Sequence, residues 1–313
     1  MGTQPTLLLT GATGLVGRSL YRAAFQRWRV VVVTHRRAAG VLRRGDSAVA
    51  ADLLAPGAAA ALLDAVEPQA IVHLAALAAL PACARDPALA QRMNVDVTAR
   101  LARGAARDGC HLVFFSTDQV FAGDRTWPPD RAPGYREPDA PAPLHPYGES
   151  KVAAEHAVAA SGADALLLRT ALVLAPSADG TSGALDYVRG AAPGSEVRLF
   201  SDEWRTPVSV LDLARVVDAA LERRLTGTLH VTGPQRLDRF ALGQAIDAAF
   251  PVAEGAAPRR LLAVSQAELP GVRPRDVSLA SDRLAAAGLP VPQPLAAALE
   301  ELRRFADGAR GTR

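Results

Sequence analysis

Lysine is nearly missing from this chain. Among its 35 basic residues only Lys151 is a lysine; the others are arginines in a background heavy in alanine. That pattern suggests a drift toward GC-rich codons, under which surface lysines become arginines at little physical cost. Cysteine is scarce as well: Cys83 and Cys110 are too few for a disulfide framework and lack the close pairing of a zinc site. The six histidines show no metal-ligand spacing, and His73, in a strand-like run, reads as a core or loop-facing residue, so no metal is expected. No apolar run reaches membrane-spanning length, because His73 and Pro81 interrupt the stretch from Ile71 to Pro81. No block of like charge and no interleaved basic and aromatic stripe is present, so nucleic acid is not an expected partner, and neither is a membrane. Residues 1–5 lead directly into a strand, which leaves no place for a secretory signal. These absences predict a cytoplasmic, soluble protein.

What is present points to an α/β fold. A chain of 313 residues, 49% hydrophobic, can build one large domain or two lobes around a shared core. Thr6 to Thr10 and Val30 to Thr34 have the continuous apolar look of strands buried on both faces. A weak strand near Ala48 to Ala51 follows, then Ala70 to Leu74, His111 to Ser116 and Ala165 to Thr170. Helices fall between them, at about Leu15 to Gln26, Gly57 to Val66, Pro87 to Arg107 and Tyr147 to Ala160. The alternation predicts a Rossmann-type doubly wound parallel sheet with helices on both faces. Gly123 to Pro146 reads as a polar surface loop, and Pro176 to Gly183 as another. Residues 1–170 are expected to form a dinucleotide-binding domain, with a segment at about 208–233 (strand end, helix, then a strand at Thr228 to Val231) returning to it. Residues 171–313 otherwise form a smaller substrate-binding lobe, irregular from Pro234 to Pro294 with short helices near Arg239 to Ala249 and Asp282 to Ala287.

The first strand runs into G-A-T-G-L-V-G, with Gly11, Gly14 and Gly17 framing Thr13, Leu15 and Val16. Glycines here allow a tight turn, let backbone approach a pyrophosphate, and let the helix pack close to the strand. The helix N-terminus offers free N–H groups and partial positive charge to phosphates. The spacing G-x-x-G-x-x-G moves the turn by one residue from G-x-G-x-x-G. About 20 residues on, where a carboxylate would grip the ribose diol of NAD, the chain reads His35-Arg36-Arg37. Arg36 and Arg37 favour the 2′-phosphate of NADP(H), with NADH as the second choice. Asp52 and Leu53, after the third strand, are placed to meet the adenine; Ala75 and Ala76, after the fourth, leave room beside the cofactor.

The fifth strand ends in F-F-S-T-D-Q-V-F-A-G, and parallel sheets bind ligands beyond such strand ends. In P-Y-G-E-S-K, Tyr147 and Lys151 stand at i and i+4, on one helical face. A strand hydroxyl can orient a carbonyl, the phenol can give or take its proton, and the ammonium can stabilise phenolate and hold a ribose. Taken alone, Y-x-x-x-K is short and equally suits a lysine that survived by chance.

In their order and spacing, the glycine turn, the strand-five hydroxyls and Tyr147/Lys151 resemble the extended short-chain dehydrogenase/reductase family. The resemblance puts its catalytic hydroxyl on Thr117, by alignment of V-F-A-G with the usual V-Y-G or V-F-D-G, and its helix asparagine on Asn94. Within that family the chain is most similar to the dTDP-4-dehydrorhamnose reductases. The likeness runs through S-T-D-Q-V-F-A-G, Y-R-E-P-D-A-P-A-P-L-H-P-Y-G-E-S-K, L-R-T-A-L-V-L, T-P-V-S-V-L-D-L-A, G-T-L-H-V-T-G and the R-P between Val272 and Asp276. It implies NADPH-dependent reduction of a keto group on a nucleotide-activated sugar, as in dTDP-rhamnose biosynthesis. Tyr147 would deliver the proton, Thr117 polarise the oxygen, and Lys151 lower the phenol pKa. Asp118, Gln119, Arg205 and Arg273 would meet the substrate, Arg205 near its nucleotide part and Arg273 at diphosphate.

One departure stands out. The reductases usually carry tyrosine where this chain has Gln119, and the related 4,6-dehydratases carry a glutamate base there. Gln119 cannot be that base, which opposes an epimerase or dehydratase reading with tightly held NAD. A further alternative is a non-catalytic NADP-binding subunit, since the regulatory β subunit of methionine adenosyltransferase resembles the same reductases, including arginines after the second strand and a Y-R-E loop. A homodimer is compatible with all of these readings.

Overall fold

The computed structural model describes residues 4–127, 132–177, 180, 182–268 and 273–308. Residues 128–131 of one expected loop, 178, 179 and 181 of the other, and Val272 of the R-P motif lie outside the described residues. The first half alternates strands and helices: β1 (Thr6–Thr10), α1 (Leu15–Ala23), β2 (Arg29–Thr34), β3 (Ser47–Ala50), α2 (Ala58–Val66), β4 (Ala70–His73), α3 (Leu80–Arg85), α4 (Pro87–Ala90), α5 (Val97–Asp108), β5 (His111–Thr117), α6 (Pro146–Ala159) and β6 (Ala165–Thr170). The second half holds β7 (Val173–Leu174), α7 (Gly183–Arg189), β8 (Glu196–Phe200), β9 (Trp204–Arg205), β10 (Val208–Ser209), α8 (Val210–Glu222), β11 (Gly227–Val231), β12 (Leu237–Asp238), α9 (Arg239–Ala249), β13 (Arg260–Val264), α10 (Asp282–Ala286) and α11 (Leu295–Gly308).

Seven parallel strands form the central sheet in the order β11-β6-β5-β4-β1-β2-β3, so the strand order reverses between β1 and β4. This is the doubly wound α/β sheet that the alternation predicts. Strand pleating divides the core: Leu7 and Leu9 of β1 pack with Val30, Val32, Val113 and Phe115 on one face. Leu8 packs with Val31, Val33, Ile71, Leu112 and Phe114 on the other. The first face is covered by α1, α8 and α11, and the second by α2, α5 and α6. β11 pairs with β6 from Gly227↔Leu166 to Val231↔Thr170, so the chain comes back to the sheet after leaving it.

Two local differences from sequence expectation matter to the site. α1 ends at Ala23 rather than near Gln26, because Phe25 turns into a left-handed conformation with φ 67°. The expected long helix from Pro87 is interrupted by a π-helical turn over Gln91–Asp96. That wider turn presents Asn94 inward, where its side chain accepts from Leu77 N–H at 2.7 Å and donates to Leu77 O at 3.1 Å and Ser150 Oγ at 2.9 Å. Asn94 thereby ties the loop after β4 to helix α6, a positioning use typical of π-bulges.

Beyond the sheet, short pairs of strands build a cover over the strand ends. β8 pairs with β13 in parallel, β9 with β12 antiparallel, and β7 with β10 in parallel. The pairs β8/β13, the helix α7 and the terminal α11 stand in segments that sequence periodicity leaves unassigned or irregular.

Candidate active site

A cleft of about 910 Å³ opens at the carboxyl ends of the strands, the size of an ordinary ligand site. Its floor is the glycine turn. Gly11 has φ +71°, and a Cβ there would lie 2.7 Å from the backbone of Leu74 and Ala75. At Gly17 a Cβ would lie 2.3 Å from Gly11 O, so the helix can approach the turn only without a side chain. Gly14 is the N-cap of α1 and makes no side-chain cap bond, which leaves first-turn N–H groups for a ligand. Gly11, Gly14, Leu15, Val16, Gly17 and Ala76 all line the cleft. Ala75 instead donates its N–H to Thr10 Oγ at 3.2 Å.

A smaller hollow of about 230 Å³ adjoins the turn, lined by Thr13, Gly14, Leu15, Arg18, Arg37, Ser177 and Ser182 among others. Arg37 reaches it; Arg36 is exposed beyond β2 and lines neither cavity. Arg18, on α1, has no motif signal in the sequence and joins Arg37 only through the fold. Asp52 is exposed and accepts from Leu54 N–H at 3.0 Å, while Leu53 is buried in the sheet core. The structure therefore does not bring the side chains of Asp52 and Leu53 to the cleft.

Opposite the glycine turn stand Thr117, at the end of β5, and Tyr147 and Lys151 on α6, all lining the same cleft. Thr117 Oγ donates to the Asp118 carboxylate at 3.2 Å and accepts from Gln119 N–H at 3.2 Å. Burial and the Asp118 carboxylate push the Tyr147 phenol above its ordinary value, and the nearby Thr117 hydroxyl only partly offsets them. The expected depression of the phenol by Lys151 is thus reversed. The ammonium of Lys151 is buried, donates to Phe115 O at 2.5 Å and lies 4.0 Å from the Phe114 ring centroid. Burial brings Lys151 itself down to about 7, against a weaker pull upward from Glu155.

Behind this set, Ser116 and Arg169 both bond Glu155, with Arg169 Nη2 2.7 Å from the carboxylate in a fully packed setting. His73 bridges Thr10 at 2.6 Å and Thr98 at 3.0 Å in the core, and burial holds it neutral with a pKa of about 3. Among the described residues no group of His, Cys, Asp and Glu could hold a metal, and no helix is long and apolar enough to cross a membrane.

Gln119 does not point into open space. Its Oε1 accepts from His145 Nε2–H at 2.9 Å and its amide donates to Asp118 at 3.2 Å. His145 is the N-cap of α6, its Nδ1 accepting from Gly148 N–H at 3.1 Å. Two bonds therefore hold one His145 tautomer and one Gln119 orientation. Over the cleft, Arg205 pairs with Glu203 at 3.1 Å and with Asp118 at 3.6 Å. Arg273 is exposed, 5.5 Å from the Phe200 ring centroid, and Arg239, absent from the sequence motifs, also lines the cleft.

The family model described as the RmlD substrate binding domain matches residues 5–305. The chain belongs to this family. It is accordingly an extended short-chain dehydrogenase/reductase of the RmlD type, as the sequence motifs imply. It is 31% identical to a dTDP-4-dehydrorhamnose reductase of Burkholderia thailandensis over 269 residues, covering 83% of this chain and 82% of that one. It is 30% identical to the methionine adenosyltransferase 2 subunit beta of Bos taurus over 292 residues, 90% and 82% of the two chains. Among solved structures, the dTDP-4-dehydrorhamnose reductase of Bacillus anthracis in complex with NADP superposes with a TM-score of 0.81 at 22% identity, covering 96% of this chain and 99% of that one. At that identity the likeness speaks for the fold. Arg18 and Arg239 line these cavities without any signal in the motifs.

Proposed function

We propose that this RmlD-family protein is an NADPH-dependent reductase acting on a keto group of a nucleotide-activated sugar. The observation that carries the reading is that Thr117, Tyr147 and Lys151 line one cleft together with the glycine turn, Lys151 standing one helical turn beyond Tyr147. A dinucleotide fits the residues present: Gly11 and Gly17 leave room that a Cβ would fill, the α1 N-terminus lacks a side-chain cap, and Arg18 and Arg37 flank the hollow suited to a 2′-phosphate. The bound nicotinamide supplies the hydride. Tyr147 gives the proton to the carbonyl oxygen, Thr117 orients that oxygen, and Lys151 holds the ribose. The described part of the segment after residue 170, apart from the returning 208–233, serves as the substrate lobe. Solved structures of similar fold support a nicotinamide dinucleotide: the Bacillus anthracis one holds NADP, in line with NADPH, and the Bordetella bronchiseptica ones hold NAD, in line with NADH as the second choice.

The test is NADPH oxidation against dTDP-, UDP- and GDP-linked 4-keto-sugars. Tyr147→Phe should lower turnover by about 100-fold or more while sparing NADPH affinity; full activity in that variant would sink the assignment. The second reading is a binding subunit, favoured by the 90% coverage in the match to methionine adenosyltransferase 2 subunit beta. It predicts co-purification with a partner and no oxidation of NADPH by any of these sugars.

A further inference from the structure

The arginines over the cleft are not in equivalent states. β9 and β12 run antiparallel, with Asp238 opposite Trp204, and Arg239 N–H donates to Glu203 O at 3.1 Å. This ribbon brings Glu203, Arg205 and Arg239 side by side. Two nitrogens of the Arg205 guanidinium are hydrogen-bonded, Nη1 to Trp204 O at 2.9 Å and Nη2 to Glu203 at 3.1 Å, and Nε stands 3.6 Å from the Asp118 carboxylate. A guanidinium already flanked by two carboxylates has little left to offer another anion. Arg239 differs. Its side chain is 19% exposed and lines the same cleft, yet its nearest carboxylate among the described residues, Glu203, is 3.9 Å away, beyond hydrogen-bond range. Burial pulls its pKa down, the mark of a desolvated cation with a distant counter-ion.

We propose, on the nucleotide-sugar reading above, that Arg239 is the residue that grips the diphosphate of the substrate. Arg205 is then a positioning residue: its charge lies 3.6 Å from the Asp118 carboxylate, which accepts from Thr117 on the wall shared with Tyr147. The arrangement fits the shape of a glycosyl diphosphate. A hexose presents its C4 carbonyl and its anomeric phosphate at opposite edges of the ring. Tyr147 and Thr117 serve one edge, and Arg239, beyond the Asp118–Arg205 pair, serves the other. A planar guanidinium can meet diphosphate oxygens bidentately, which a point charge cannot.

The experiment titrates dTDP, UDP and GDP into the full chain saturated with NADP+, so that the cofactor site is filled. Arg239→Gln should weaken nucleoside diphosphate binding by about 10- to 100-fold, leave NADP+ affinity unchanged, and raise KM more than it lowers kcat. Arg205→Gln should do the reverse, lowering kcat with dTDP binding largely retained. Arg239→Lys serves where the glutamine variant does not fold, and should cost about threefold or more in dTDP affinity through loss of the fork. Wild-type binding that Arg239→Gln leaves within twofold, or that Arg205→Gln abolishes instead, overturns the assignment but not the reductase reading. Wild-type protein that binds none of dTDP, UDP and GDP overturns both.

Discussion

Gly148→Ala should cripple turnover while leaving the protein folded. Gly148 follows Tyr147 in the first turn of α6, and a Cβ there would lie 2.3 Å from Gln119 O and 2.8 Å from Pro143 Cβ. Alanine is intrinsically better than glycine in a helix by roughly 1 kcal/mol, so without the contact the variant would be more stable. The carbonyl cannot swing aside, because its turn is fixed by Phe121 N–H to Asp118 O at 3.1 Å and by Ala142 N–H to Val120 O at 2.8 Å. Relaxing to an ordinary C···O contact of about 3.3 Å requires the start of α6 to move by about 1 Å. Overpacking of this kind costs roughly 1–3 kcal/mol, so the net loss is at most about 2 kcal/mol. With an unfolding entropy of about 2.1 cal/mol/K per residue, Tm falls by only about 3 °C. Tyr147 rides on the same turn, and a misplacement of about 1 Å at a reacting group costs on the order of 100-fold. The assay is kcat for NADPH oxidation beside a thermal melt and an NADPH titration. A kcat within about threefold of wild type, or a raised Tm, refutes the reasoning.

Other expectations are simpler to state. Arg169→Met strips the Glu155 carboxylate of its guanidinium while both side chains are about 95% buried, and the unpaired charge should cost about 3–5 kcal/mol, lowering Tm by roughly 5–8 °C in a thermal melt. Lys151 has a folded pKa of about 7 against an ordinary 10.5. Between those values the unfolded chain binds more protons at this residue, so its contribution to stability rises with pH across that window and is smallest below pH 7. Melts from pH 6.5 to 10 should show a steeper gain for wild-type apoprotein than for Lys151→Met, and parallel curves would contradict the burial argument.

The sheet was legible because its strands are continuous apolar runs, and burial on both faces is what such runs require. β6 is assigned residue for residue, and β1 likewise, since each sits between two neighbours that leave no polar face. The cover over the cleft was not legible for the opposite reason. β8 alternates buried and exposed positions over five residues and needs β13, more than 50 residues away in sequence, before it has a partner. α11 carried a helical period in L-A-A-A-L-E-E-L-R-R-F that reading by motif passed over. In the site, Tyr147 and Lys151 follow from local spacing and Thr117 from the family resemblance, whereas Arg239 and Arg18 reach their cavities only through strand pairing and helix placement. Arg205 lines the cleft as its motif position implies, but motif reading cannot see the Glu203 and Asp118 carboxylates beside it.

The solitary lysine acquires a different role from the one its spacing suggests. In the protein as described it does not draw down the phenol. Burial drives both groups toward their neutral forms, with Tyr147 raised above its ordinary range and Lys151 lowered to about 7. A neutral phenol carries the proton that carbonyl reduction requires, while its raised pKa makes it a weaker acid than an ordinary phenol. Proton abstraction beside the carbonyl would instead ask for a carboxylate base at position 119, and there the amide of Gln119 is tied between Asp118 and His145. Arginine could not replace Lys151 in this balance: the space between the Phe114 ring and the Phe115 carbonyl admits a compact ammonium, and a guanidinium would keep its charge under the same burial. Reversible neutralisation near pH 7 is available to lysine alone of the two, and that gives a physical reason for one lysine to persist where every other basic residue is arginine.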